Sequence, residues 1–230
     1  AQSQVDTSLC VTATRPCTLA FVRLVEGQAT YAFYDEGTAG RMLTEDDLPS
    51  ARAIAGAEAL FFGGISLVVE PCGATYEALM ARAVAAGRVT MIDPNIRPGF
   101  ITDEAAYRAR IERMLGMADI VKISLEDLDW LAKGQSDAFV ERLLGGRASV
   151  VLLTDGGTGA HAITASLRLF EPAQKVTVVD TVGAGDTFSA GVLASLQAAG
   201  LLSREALAEI GESALRAALQ LGAAAAAVTV

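Results

Sequence analysis

Apolar runs with polar or glycine-rich ends recur along this chain. Residues 59–67 (ALFFGGISL) form an apolar run broken by Gly63-Gly64, and residues 89–99 (VTMIDPNIRPG) begin as a short strand that stops at Asp93-Pro94. Residues 118–128 (ADIVKISLEDL) turn polar from Lys122, and residues 148–160 (ASVVLLTDGGTGA) are β-branched and end in glycines. Continuous apolar runs of this length suit parallel strands covered on both faces. Between them, residues 75–86 and 104–117 are rich in Ala, Leu, Met and Arg and read as helices. Phe188, Val192 and Leu196 stand four apart and predict a helix beginning near Gly185. Ser203 can cap a further helix with Glu205 in its first turn. Leu207, Ile210, Ala214, Ala218 and Leu221 then mark that helix's buried face. Residues 162–170 (AITASLRLF) alternate and read as a strand.

Strands alternating with helices predict an α/β layer fold with a mainly parallel sheet. Ligands of such sheets bind beyond the carboxyl ends of the strands, where the polar and glycine-rich pieces all fall. The first stretch differs. Residues 16–40 alternate around a turn at Glu26-Gly27 and predict an antiparallel hairpin. The expected organisation is a β lid over residues 1–45 and a layered core over 46–230.

Composition narrows the function classes. The 230 residues are 52% hydrophobic and 20% charged, enough for a sizeable core in one or two domains. No run approaches the roughly 18 apolar residues of a membrane span, the nearest being 223–228, and residues 1–10 are too polar for a signal peptide. A net charge of −9 with no Lys/Arg cluster argues against nucleic acid as a partner. It leaves phosphate ligands open, because a helix N-terminus and a few amides suffice to hold one. Three cysteines without CxxC spacing and a single histidine argue against a Cys/His zinc site. Free thiols suit a reducing cytoplasm, and His161, on a strand beyond the glycine loop, reads as structural.

The chemistry concentrates in residues 180–191, DTVGAGDTFSAG. At the start of a helix the amides of Gly183, Ala184, Gly185 and Asp186 would lack intrahelical partners and could close around an anion. A P-loop would need GxxxxGK[ST], which is absent. A dinucleotide fingerprint would need glycine where Phe188 stands. The near match from Gly157 to Ala162 is followed by a strand, so the helix N-terminus it requires is missing. Two readings of Asp186 remain. It caps a helix, or it accepts the proton of a substrate hydroxyl while the amides hold the charge on a transferring phosphoryl group.

The same twelve residues resemble the C-terminal signature of the ribokinase-like sugar kinases, the phosphofructokinase B family. DPNIR at 93–97, VKISLEDL at 121–128 and LLTDGGTGA at 152–160 follow in that family's order and spacing. The resemblance implies a ribokinase-like three-layer sandwich with a small β lid, and an ATP-dependent sugar kinase using Mg²⁺, with a monovalent cation as a further candidate. It implies that Asp186 is the catalytic base and that Gly183, Ala184 and Gly185 help form the anion hole. Lys122, Ser124, Thr154, Gly156, Gly157 and Gly159 fall where the family binds the nucleotide. Asp127 and Glu126 fall where it organises Mg²⁺ through water. The family's Asn and Glu are here Ser124 and Asp127. Asn95 and Arg97 line the sugar or phosphate path, or Asp93 and Arg97 brace the loop as a pair.

The hairpin bears on the substrate. ATYAFYDEGTAG resembles the lid of fructokinases and of 2-keto-3-deoxygluconate kinases, but Asp35 stands where the latter carry a substrate-binding arginine. A carboxylate there repels an acidic sugar, so a neutral ketohexose, fructose first, is expected, with Phe21 and Phe33 packing on the sugar or the lid. Arg41 keeps the acid sugar open. A riboside kinase and a non-catalytic sugar or nucleotide sensor are the other readings. Lids of this family often mediate dimers. The family's first strand and its Gly-Gly-x-x-x-Asn motif have no counterpart here, so the chain is expected to be the C-terminal part of a longer protein.

Overall fold

The apolar runs become the inner strands of one sheet. The structure, a computed structural model, describes residues 4–25, 28–178 and 180–230. Strands β1 (Leu19–Val25) and β2 (Gln28–Tyr34) precede the core; helix α1 (Ala51–Gly56) leads into it. Then come β3 (Ala59–Gly63), α2 (Cys72–Ala85), β4 (Val89–Asp93), α3 (Glu104–Leu115), β5 (Ile120–Ser124), α4 (Leu125–Ala132), α5 (Ser136–Leu144) and β6 (Val150–Asp155). The chain continues through β7 (Gly159–Ile163), β8 (Arg168–Pro172), α6 (Ala184–Ala198), α7 (Arg204–Ala208) and α8 (Glu212–Thr229). The main sheet runs β3-β4-β5-β6-β7-β8. β3 to β6 pair in parallel, while β7 and β8 return antiparallel.

Strand alternation splits the core in two. Ile92, Val121, Ile123, Val151 and Leu153 point to the side covered by α2 to α5. Met91, Ile120, Val150 and Leu152 point to the other, against Phe188, Val192 and Leu196 of α6 and Leu215, Ala218 and Leu219 of α8. The result is the expected three layers. α6 and α8 cross closely: a Cβ on Gly191 would lie 2.8 Å from the Cα of Gly222, so no larger residue fits the crossing.

Two local expectations are corrected. Residues 162–170 form no single strand. The chain turns at 164–167, where the Thr164 hydroxyl accepts from the Leu167 amide at 3.0 Å, and β7 and β8 pair as a hairpin. Residues 203–221 are likewise two helices. Ser203 caps α7, accepting from the Ala206 amide at 3.2 Å, but Gly211 caps a new helix. The break rephases the buried face, which becomes Leu215, Ala218, Leu219 and Gly222 and leaves Leu221 exposed.

The hairpin pairs antiparallel from Leu19↔Tyr34 to Val25↔Gln28; its expected turn at Glu26-Gly27 lies outside the described residues. Its root is tied to α2. Cys72 donates its amide to Arg41 O at 3.2 Å, and the Thr75 hydroxyl donates to Leu43 O at 3.0 Å.

Candidate active site at the carboxyl edge of the sheet

The ends of β3, β4 and β5 and the start of α6 converge. β3 ends in Gly63, and Gly64 follows. A Cβ on Gly64 would lie 1.4 Å from Pro94 O, so the loop after β4 needs glycine beside it. That loop is bent at Asn95, which takes a left-handed φ of 43°, a conformation Asn tolerates better than most residues. Asp127 in α4 holds the loop, its Oδ1 accepting from the Ile96 amide at 3.0 Å. Ser124 fixes Asp127 in turn by capping α4, its hydroxyl accepting from the Asp127 amide at 3.0 Å. Burial pushes the Asp127 carboxyl up from the ordinary carboxylate value, and the charge of Asp93 adds to the rise. The half-buried Arg97 donates to Ile96 O at 3.0 Å.

Asp93 and Lys122 meet beneath the helix. The β4–β5 register pairs Met91 with Ile120 and Ile92 with Val121. The next positions, 93 and 122, therefore share a face with Met91 and Ile120, the face that α6 covers. Lys122 Nζ donates to Asp93 Oδ2 at 2.7 Å, and the side chains are 7% and 2% exposed. The expected Asp93–Arg97 brace is thereby corrected, since the ion-pair partner of Asp93 is Lys122. Burial pushes the Asp93 carboxyl up despite Lys122, and the charge of Asp186 pushes it further. Asp93 Oδ1 is buried without a hydrogen-bond partner among the described residues.

Above this pair α6 begins. Gly183 takes a φ of 85° at the N-cap, a left-handed turn that glycine makes without strain. The Thr187 hydroxyl donates to Gly183 O at 3.0 Å and stands 2.9 Å from the Thr229 hydroxyl of α8, so α8 braces the turn. One part of the anion-hole expectation is corrected: the Ala184 amide donates to Thr181 O at 3.3 Å. The amides of Gly185 and Asp186 have no backbone acceptor among the described residues. Asp186 is exposed in the first turn. A carboxylate open to solvent, beside two available amides and the positive end of a helix, can take a proton while those amides hold an anion.

The remaining expected residues spread around this centre. Thr154, one residue before the end of β6, is half-buried and next in the sheet to Ser124, with Gly156 and Gly157 exposed in the following turn. Gly159 has a packing reason of its own, because a Cβ there would lie 2.3 Å from Glu171 O. Glu126 is exposed and Asp127 buried, and no three carboxylate, thiol or imidazole groups cluster as a metal site among the described residues. Phe21 and Phe33 are not brought together. Phe21 pairs with Ala32 and Phe33 with Ala20, so they occupy opposite faces of the hairpin. Phe33 lies edge-on to Phe100, beyond Arg97, with centroids 3.8 Å apart. Phe21 stacks with Tyr34 and is exposed. His161 lies against Phe170 on β7, away from these elements. Cys10, Cys17 and Cys72 are unbonded.

Two residues escaped the sequence reading. Phe100 is one, since nothing local ties it to the hairpin. Asp93 as the partner of Lys122 is the other; its signal was the equal distance of both residues from the buried centres of adjacent strands.

This arrangement can be compared with known proteins. The model of the pfkB family carbohydrate kinases matches residues 1–230. The chain belongs to that family. A fructokinase of Rhizobium leguminosarum bv. trifolii is 54% identical over 215 residues, covering 93% of this chain and 65% of the relative. The chain thus spans about two thirds of that relative's length. The crystal structure of a fructokinase with bound ATP from Xylella fastidiosa superposes with a TM-score of 0.86 at 28% identity, covering 95% of this chain and 69% of that one. An aminoimidazole riboside kinase from Salmonella enterica superposes with a TM-score of 0.70 at 26% identity, covering 88% of this chain and 64% of that one. Family membership accounts for the layered fold and for the glycine turn feeding α6. Among the described residues no helix is long and apolar enough to cross a membrane.

Proposed function

We propose that this chain carries the phosphoryl-transfer centre of an ATP-dependent fructokinase. The observation that carries the reading is Asp186, exposed in the first turn of a helix whose Gly185 and Asp186 amides have no backbone acceptor among the described residues. The Asp186 carboxylate accepts the proton of the sugar's terminal hydroxyl as that oxygen bonds to the γ-phosphorus. The bond from the γ-phosphorus to the bridging oxygen breaks, and ADP leaves with the electron pair. The amides and the helix dipole stabilise the charge on the transferring group.

The nucleotide lies along the ends of β5 and β6, near Ser124, Thr154, Gly156 and Gly157, and Lys122 lends positive charge from below. Glu126, exposed in the first turn of α4, would hold Mg²⁺ through water, and the ion would supply neutralisation of phosphate charge. Such an ion keeps several waters and takes few protein ligands, which fits an exposed Glu126 beside a buried Asp127. The resemblance to the family keeps a monovalent cation in the reading, and a fructokinase of Vibrio cholerae has been crystallised in a potassium-bound form. Asn95, Arg97 and Phe33 face the sugar side. Asp35 and Arg41 form an ion pair of 3.1 Å at the hairpin root. That pair leaves Arg41 partly neutralised and supports a neutral sugar over 2-keto-3-deoxygluconate. The similarity to a riboside kinase keeps a riboside as the second substrate. Leu19, Phe21 and Tyr34 expose an apolar face on the hairpin, which suits a dimer through the lid, and three free thiols suit the cytoplasm.

The test is ADP release by the full-length protein with MgATP and fructose, 2-keto-3-deoxygluconate or aminoimidazole riboside. Fructose is the expected preference. Asp186→Asn should lower kcat by about 10²–10⁴-fold, the usual contribution of a general base, with MgATP affinity nearly unchanged. Near wild-type turnover in this variant would overturn the assignment of the base.

A further inference from the structure

Asp186, the amides beside it and the charge of Lys122 leave unexplained why that lysine is buried beneath them and paired with Asp93. A buried pair is rarely kept for stability, because the desolvation of two charges can exceed their attraction. Apolar residues would fill the space beside Met91, Ile120 and Phe188 at lower cost. The pair is also placed with direction. A Cβ on Gly185 would lie 3.1 Å from Lys122 Nζ and 3.9 Å from Asp93 Oδ2. The ammonium end is therefore the nearer to the first turn of α6, and the carboxylate end lies deeper. Gly185 has no side chain, so the ammonium stands against bare backbone. Asp93 holds it there with one oxygen, while its other oxygen has no hydrogen-bond partner among the described residues.

We propose that the Asp93–Lys122 pair is a positioning device, a fixed dipole whose positive end backs the Gly185 turn from inside the protein and strengthens the anion hole without touching the nucleotide. In a low-dielectric interior a charge a few ångströms behind the amides raises the positive potential in front of them. It needs no reorganisation during the reaction, since the hydrogen bond to Asp93 already orders the lysine. Asp93 keeps the ammonium from rising into the hole and pairing with Asp186. The inference rests on the proposed phosphoryl-transfer site. The charged and titratable groups around that site include, among the described residues, Asp93 from β4, Arg97 and Tyr107 behind it, Lys122 from β5, Asp127 from α4, Asp180 in the turn before α6 and Asp186 itself. Among them Lys122 and Arg97 carry positive charge, and Lys122 lies against Gly185.

The experiment uses the full-length protein with Lys122→Met, Asp93→Asn and the double variant. For each, kcat and KM for sugar and MgATP, the pH profile of kcat/KM, the MgADP affinity by calorimetry and the Tm are measured. Lys122→Met removes the positive end. It should lower kcat by about 10- to 100-fold, below the loss of a direct anion-hole donor, leave the sugar KM within about twofold, and move the acid limb to higher pH. Asp93→Asn uncovers the ammonium and should move the acid limb the other way and tighten MgADP. The double variant should fall between. Opposite movements from the two halves of one pair are what a merely structural pair cannot produce. If both single variants leave the limb and MgADP affinity where they were, or move them in the same direction, the proposal is wrong. Should Lys122→Met fail to fold, Asp93→Asn decides alone, by the direction in which MgADP affinity moves. If the wild-type protein turns over none of the sugars, the functional reading fails, while MgADP affinity still tests the pair.

Discussion

Asp127 shows how one buried carboxylate serves the site from behind. It touches no expected reacting atom, yet its hydrogen bond to Ile96 sets the loop that carries Asn95 and Arg97. Its carboxyl is raised by burial first, so the sign of its contribution runs against the usual one. Between the ordinary value near 3.8 and the raised one, the folded protein still holds the proton that the unfolded chain has lost. Stability therefore falls as pH rises through that window. Asp127→Asn keeps an acceptor oxygen for the Ile96 amide and removes the charge. Its Tm relative to wild type should improve from about pH 4 towards neutrality; a difference equal at every pH would show that geometry rather than charge decides. The same scale shows what the chain disclosed. Gly183, Gly185 and Asp186 were legible because their chemistry is local to four residues. The pairing of Asp93 with Lys122 was not, because 29 positions separate them and only the strand register brings them together.

At the scale of elements, the inner strands and α6 were plain because burial on both faces writes long apolar runs, and because Phe188, Val192 and Leu196 lie on one stripe. Elements whose boundaries rest on turn chemistry were not: the Thr164 hydroxyl splits β7 from β8, and Gly211 splits α7 from α8. The close contact of α6 with α8 was also hidden, since it depends on Gly191 and Gly222 facing each other. That contact fixes the helix whose first turn is the proposed anion hole. Gly191→Ala would drive a methyl to 2.8 Å from Gly222 Cα and Leu221 O, both backbone atoms that cannot step aside. It should cost about 1–3 kcal/mol, a Tm loss of about 2–4 °C for each kcal/mol at this chain length. Gly222→Ala meets the side chains of Val192 and Phe188 at 2.9–3.0 Å and should cost less, because side chains can shift. Equal Tm losses would mean that the crossing yields as a whole rather than at one wall.

For the whole molecule, the question is how the hairpin and the layered core divide recognition. In the proposed site the core supplies the base, the amides and the loop of Asn95 and Arg97. The hairpin supplies Phe33, which meets Phe100, and a root in which Asp35 binds Arg41. A cleft of about 450 Å³ opens there, lined in part by Phe33, Asp35, Thr38 and Arg41. Both charged side chains are about a third exposed or less, at 31% for Arg41 and 27% for Asp35, and Arg41 also donates to Glu70 O at 3.3 Å. If the carboxylate of Asp35 is lost, the guanidinium keeps its place through that second bond and its charge is uncovered. Asp35→Asn should therefore raise kcat/KM for 2-keto-3-deoxygluconate relative to fructose by about fivefold, the scale of a partly exposed ion pair of about 1 kcal/mol. Added salt should shrink the gain, because a charge open to water is screened. The check is a competition assay with both sugars under MgATP, at low and at high ionic strength. A ratio that does not move would sink the idea that this pair selects for a neutral substrate, and would pass the choice to Arg97 in the core.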